Sequence, residues 1–140
     1  MIMRGKAQSS VEFMAVIAAI IFIAAIAQVL IFSKYNEAWQ LRAYLGSQDV
    51  CNSVSNELSL AGYSEGRSSY FTLPQDIAGG NYTLTVWNGI VTADYQGHAC
   101  VGTYVVRSLK YGNSTPPFNM TGGRYRINTT AGLVTLEKMA

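Results

Sequence analysis

The chain has 140 residues, of which 13% are charged and 49% hydrophobic. The charged share is about half that of an average soluble domain, and a deficit of charge without an excess of apolar residues points to a chain not dispersed freely in cytoplasm. Ten Lys and Arg against eight Asp and Glu form no basic block, so nucleic acid is not an expected partner. One His and two Cys exclude a zinc finger and a disulfide-dense mini-scaffold, and leave little from which to build a His-based catalytic site.

Residues 13–32 read FMAVIAAIIFIAAIAQVLIF, with Gln28 the one polar side chain and no charge. A helix of this length spans about 30 Å, the hydrocarbon thickness of a bilayer. Arg4 and Lys6 precede the run and Lys34 follows it. Three readings compete. A secretory signal peptide would use Ala25-Ile26-Ala27 as an A-x-A cleavage site. Against it, Val29-Leu30-Ile31-Phe32 continue the apolar run past that point, and Glu12 sets a negative charge against its start. A plain membrane anchor satisfies the hydropathy but also leaves Glu12 unexplained.

The third reading uses the residues just before the run. Lys6-Ala7-Gln8-Ser9-Ser10-Val11-Glu12-Phe13 resembles the class III signal peptide of archaeal type IV pilin-like proteins, a basic leader followed by Q-x-S-x-E and an apolar helix. Gln8, Ser10 and Glu12 are the matching residues. The resemblance implies cleavage between Ala7 and Gln8 by a membrane prepilin peptidase, with residues 1–7 removed as the leader and the apolar helix retained. It further implies a homopolymer in which Glu12 neutralises the free amine of a neighbour's Gln8, a charge pair in an apolar setting where leaving one partner alone is costly. Small polar residues at Gln8 to Ser10, with a carboxylate close behind, also suit a helix start, and on that simpler reading Glu12 is a helix N-terminal acid. In the assembly reading Gln8, Glu12, Phe13, Ala15, Ala19 and Phe22 make subunit contacts; Ala15 and Ala19 are a small-xxx-small pair that permits close helix approach.

Residues 8–33 are thus expected to be an apolar transmembrane or filament-core helix, and 34–62 an amphipathic continuation. From Ser33 to Ala61 there is no Pro, and apolar residues recur at Tyr35, Ala38, Trp39, Leu41, Leu45, Val50, Val54, Leu58 and Ala61, the spacing of a helix with one buried stripe. Gly62 is a natural stop, and Gly46-Ser47 a place for a break.

After Gly62 the period changes to two, and residues 63–140 are expected to form a β-rich surface domain. Tyr70 to Leu73 reads as a short strand ended by Pro74. Asn81 to Tyr95 reads as a hairpin turning at Asn88-Gly89, with Tyr82, Leu84, Val86, Val91, Ala93 and Tyr95 on the face toward the helix and Thr83, Thr85, Thr92 and Asp94 opposite. Further strands are expected at 99–109, 124–129 and 133–137. The sum is an α+β fold, a long N-terminal helix packed on an antiparallel sheet of four or five strands, which is the lollipop architecture of type IV pilins.

Cys51 falls in the helix and Cys100 in a strand. If the domain is exported they pair and staple helix to sheet; in a reduced compartment they are two buried thiols. Four N-x-S/T sequons, at Asn81, Asn113, Asn119 and Asn128, all lie in the β-rich part, where eight Asn and 22 Ser plus Thr in 140 residues make one to two by chance. Pro116 directly follows the sequon of Asn113 and disfavours that site. No phosphate loop, catalytic carboxylate pair or metal-ligand spacing occurs, and His98 stands alone beside Gly97, so neither catalysis nor a cofactor is expected.

Two functions remain. One is a structural subunit of an archaeal type IV pilus-like surface filament, used in adhesion or surface contact, held in the cytoplasmic membrane before assembly and N-glycosylated outside the cell. The alternative is a single-pass anchored exodomain that binds a ligand or partner without polymerising.

Overall fold

The structure, a computed structural model, describes the backbone of residues 4–140 and the side chains of residues 10–140. It contains one helix, α1 (Arg4–Tyr63), and eight strands: β1 (Ser68–Leu73), β2 (Thr83–Trp87), β3 (Ile90–Tyr95), β4 (His98–Thr103), β5 (Ser108–Tyr111), β6 (Phe118–Met120), β7 (Gly123–Thr130) and β8 (Leu133–Lys138). The chain divides into two compact units, 1–39 and 40–140, so the second begins inside α1 rather than at its end.

Among the described residues the first unit is helix alone. Every residue from Ser10 through Trp39 is exposed, because no second element in this stretch offers an apolar face. The long apolar helix expected over the N-terminal third is therefore present, and it is long and apolar enough to cross a membrane.

In the second unit, residues 40–63 of α1 pack on two four-stranded sheets, ordered β1-β7-β8-β5 and β4-β3-β2-β6. The α+β class expected from the change of period is the fold observed, with two differences. The strands form two sheets instead of one, and β5 pairs parallel to β8 while all other pairs are antiparallel. The stretch 99–109 is also not one strand. It ends at Thr103, crosses at Tyr104–Arg107, and resumes as β5 in the other sheet. Tyr104 fixes that crossing: its N–H donates to the Gly89 carbonyl, and its hydroxyl donates to the Trp87 carbonyl.

The hairpin register is the one its two-residue loop requires, Trp87 opposite Ile90 and Leu84 opposite Ala93. Leu84, Val86, Val91, Ala93 and Tyr95 are buried on one face, and Thr83 and Asp94 are exposed on the other. Tyr82 is buried too and donates to the Pro74 carbonyl at 2.8 Å; burial first, then the neighbouring Tyr125, pushes its phenol up to about 12. Two further tight turns fall at Gln96-Gly97 and Ala131-Gly132, where both residues of each pair have positive φ. At the first of these, Asp94 Oδ1 accepts from the Gly97 N–H at 3.2 Å.

The face of α1 that meets the sheets differs from the expected stripe. The buried residues are Ala43, Ser47, Val50, Cys51, Val54, Ser55, Leu58 and Ala61, whereas Leu41 and Leu45 are 58% and 55% exposed. The reason is close approach. A Cβ at Gly46 would lie 2.7 Å from Ile77 Cγ2, and one at Gly102 would collide with Ser55 Oγ and lie 3.0 Å from the Cys51 carbonyl oxygen. Small residues are therefore selected on the inner face, and larger ones turn outward. The helix runs unbroken through Gly46-Ser47, because Gly46 accommodates a neighbour instead of ending the helix. Cys51 and Cys100 form a disulfide, with Cα atoms 6.4 Å apart and 49 residues of separation, a loop whose closure is worth about 4 kcal/mol on the chain-entropy account. Thr129 Oγ1 donates to the Ala61 carbonyl at 3.1 Å and so holds the helix end to β7.

Gly102→Ala is expected to destabilise the β-rich unit by about 2 kcal/mol, lowering Tm by roughly 10 °C for a domain of this size. Adding Ser55→Ala recovers part of that loss by removing the atom struck first. Thermal denaturation of the full chain in detergent, followed by near-ultraviolet circular dichroism, measures both.

Candidate functional site

The side chains from Ser10 to Arg42 are all exposed, and the first buried residue of α1 is Ala43. Within this stretch Phe13, Phe22 and Phe32 are each at least 65% exposed. The charged side chains here are few: Glu12 at one end, and Lys34, Glu37 and Arg42 at the other. Lys34 Nζ and Glu37 form an ion pair at 2.8 Å, exposed and of small energetic worth. Glu12 makes no ion pair among the described residues.

The proposed assembly residues do not all share one side of the helix. At 3.6 residues per turn, positions 8, 12, 15, 19 and 22 fall on one stripe about 80° wide, at alternating spacings that keep a single face. Phe13 falls well away from it. Ser10 and Glu12 are exposed on helix, as are Ala15, Ala19 and Phe22. Ala7 and Gln8, the expected cleavage site, lie in helical backbone, but their side chains fall outside the described residues. Residues 1–3 of the expected leader lie outside them altogether.

Apolar exposure continues beyond the 20-residue run. Tyr35 and Trp39 are exposed in the first unit, and Leu41, Tyr44 and Leu45 on the outward side of α1 in the second. Hydropathy windows overlook these residues, because polar neighbours such as Asn36, Gln40 and Arg42 separate them.

All four sequon asparagines are exposed. Asn81 precedes β2, and Asn113 sits in the tight turn between Tyr111 and Ser114. Asn119 and Asn128 point outward from β6 and β7, in different sheets. At Asn119 the Thr85 hydroxyl donates to Oδ1 at 3.0 Å, which leaves the amide nitrogen free. The buried neighbours Tyr125, Ile127 and Thr129 confirm the alternation that sets Asn128 outward.

The outer faces of the two sheets differ in chemistry. On the first, Arg124 stacks over the Tyr70 ring at 5.0 Å, and Arg126 donates from Nε to Ser68 Oγ at 3.3 Å. On the second, Trp87, Ile90 and Val101 are exposed. Two clefts, of about 360 and 450 Å³, flank the Tyr104–Arg107 crossing and share Arg107 in their walls. Nothing in the sequence pattern marks them, because their residues come from turns far apart in the chain. Among the described residues no group of His, Cys, Asp and Glu is arranged to hold a metal.

Comparison with protein-family models, with curated proteins and with solved structures finds no match to the chain.

If the exposed asparagines carry glycans, expression in a glycosylating archaeal host should give a mass above that of the polypeptide by whole glycan units. Asn81→Gln and Asn128→Gln are each expected to remove one unit, and Asn113→Gln none. Intact-protein mass spectrometry reads the change.

Proposed function

We propose that this chain is a structural subunit of an archaeal type IV pilus-like surface filament, polymerising through its N-terminal helix and displaying residues 40–140 outward. The observation that carries the proposal is the uninterrupted exposure of α1 from Ser10 to Arg42. At about 25 cal/mol per Å² the apolar surface of such a helix represents tens of kcal/mol, more than the net stability of a domain. Lipid, or copies of the same helix, must cover it.

The two covers differ in reach. A bilayer core accounts for about 20 residues, which Phe13–Phe32 already fill. Tyr35, within the Lys34–Glu37 pair, and Trp39, Leu41 and Leu45 beyond it are still exposed. Neighbouring helices in a bundle cover these residues as well as the run before them. Glu12 supports the same reading. Cleavage of the Ala7–Gln8 peptide bond by water would leave a free amine at Gln8, and positions 8 and 12 share one stripe. A neighbour's amine can then meet the Glu12 carboxylate where one helix lies against the next, fixing axial register. Repetition of one heterologous contact makes an open helical polymer. The alternative, an anchored exodomain that does not polymerise, accounts for Phe13–Phe32 but leaves Glu12 and the exposed apolar residues Tyr35, Trp39, Leu41 and Leu45 without a partner.

Processing of this kind removes Arg4 and Lys6, leaving eight positive and eight negative side chains. Intact mass of the cell-surface form should place Gln8 first; a form beginning at Gln28 would instead mean conventional signal-peptide cleavage. Glu12→Ala is expected to enter membranes normally and to yield few or no filaments, with Glu12→Asp intermediate. Leu45→Asp, outside the bilayer run and outside the domain core, should likewise lower filament number at unchanged membrane level. Filament counts by electron microscopy at matched membrane levels decide. Normal numbers for both Glu12→Ala and Leu45→Asp would favour the anchored exodomain.

A further inference from the structure

Arg107 is exposed on the crossing between β4 and β5, with no ion pair among the described residues. It lines two clefts of different character. The larger also contains Glu65, whose carboxylate opposes any anion drawn to the guanidinium. The smaller, about 360 Å³, has no Asp or Glu in its lining; Asn88, Ser108 and Thr115, an amide and two hydroxyl residues, line it beside Arg107, and Pro116 and the buried Tyr104 form part of its wall. We propose that this smaller cleft is a binding site for one acidic sugar residue, its carboxylate held by Arg107 and its hydroxyls by Asn88, Ser108 and Thr115.

Three features favour that ligand. A guanidinium presents a planar fork of donors matched to a carboxylate, and one left without a protein partner is available for a ligand's. Hydroxyl and amide side chains both donate and accept, which suits a polyhydroxylated ring. The volume lies at the small end of ligand sites, which run from about 300 to 1,000 Å³, and so fits one sugar unit better than an extended chain.

The cleft is also held in shape. The Tyr104 N–H donates to the Gly89 carbonyl at 3.0 Å and its hydroxyl to the Trp87 carbonyl, tying the Asn88-Gly89 turn to the crossing that carries Arg107. Walls fixed before binding lower the ordering cost of the complex. The cleft lies wholly within residues 40–140, so the inference does not rest on polymerisation: an anchored monomer would bind as well as a filament.

The test uses the full chain in detergent micelles at low ionic strength, with D-glucuronate, D-glucose and acetate as probes, read by ligand-observed saturation-transfer NMR. Glucuronate is expected to bind with Kd of millimolar order, and glucose and acetate about tenfold more weakly or not at all. Arg107→Ala should abolish glucuronate binding with an unchanged Tm. Arg124→Ala, in the cation–aromatic pair with Tyr70 and outside the cleft lining, should leave binding intact. Acetate binding as tightly as glucuronate would reduce the cleft to a simple anion site and overturn the proposal. Retained binding in Arg107→Ala, or no binding of glucuronate to the unaltered chain, would overturn it equally.

Discussion

The hydrophobic effect acts on α1 in two opposite ways, and the change falls at Ala43. Beyond that residue the helix buries Val50, Val54 and Leu58 against sheets made by its own chain. Between Ser10 and Arg42 the helix presents Phe, Ile, Leu and Val outward from one turn to the next, and nothing among the described residues covers them. Apolar surface on this scale is not tolerated in water. Residues 10–42 therefore define an obligation that only a second molecule or a lipid phase can meet, and the proposed function rests on that obligation. The head carries the complementary requirement: it must fold in water while joined to a segment that cannot stay there.

Small side chains resolve that second requirement. Ala43, Gly46, Ser47, Ser55 and Ala61 let α1 approach strands and loops closely, and Gly102 answers from β4. The Cys51–Cys100 bond crosses the same seam. Phe71 stacks on Tyr125 with ring centroids 5.5 Å apart, and Tyr111 on Phe118 at 5.2 Å, the latter pair joining β5 of one sheet to β6 of the other. Ser55 Oγ and the Tyr95 hydroxyl stay buried without a partner, a cost the tight packing carries.

What could be read from the chain alone divides by the range of the physics involved. The apolar run, the change from helical to alternating period and the Asn88-Gly89 hairpin are local patterns, and each stands in the fold. The partition of strands between two sheets was not legible: alternation in 99–109 shows that residues face inward and outward, and says nothing of which sheet they join. The buried stripe is as expected at Val50, Val54, Leu58 and Ala61 and differs before them, for a related reason. Leu41 and Leu45 outrank Ala43, Ser47 and Ser55 in hydrophobicity, but the distance allowed between helix and sheet, set by Gly102 and Ile77, decides which side turns inward. The Arg107 cleft was invisible because turns at 88–89 and 115–116 meet there only through the sheet pairings.

The sheet that contains β1 has a consequence for the order in which the head can form. β1 pairs only with β7, whose partnered residues come 50 to 60 positions later, and β5 is joined to that sheet only through β8. The meander β2-β3-β4, by contrast, closes through two tight turns. Loop-closure entropy makes the short-range meander the early element and the long-range sheet the late one. Cys100 lies on the meander and Cys51 on α1, so a covalent link between helix and early element can form before β7 and β8 find their places. An oxidising folding compartment would then do more than lock a finished domain: it would tether the early half to the helix and shorten the search left to the late half.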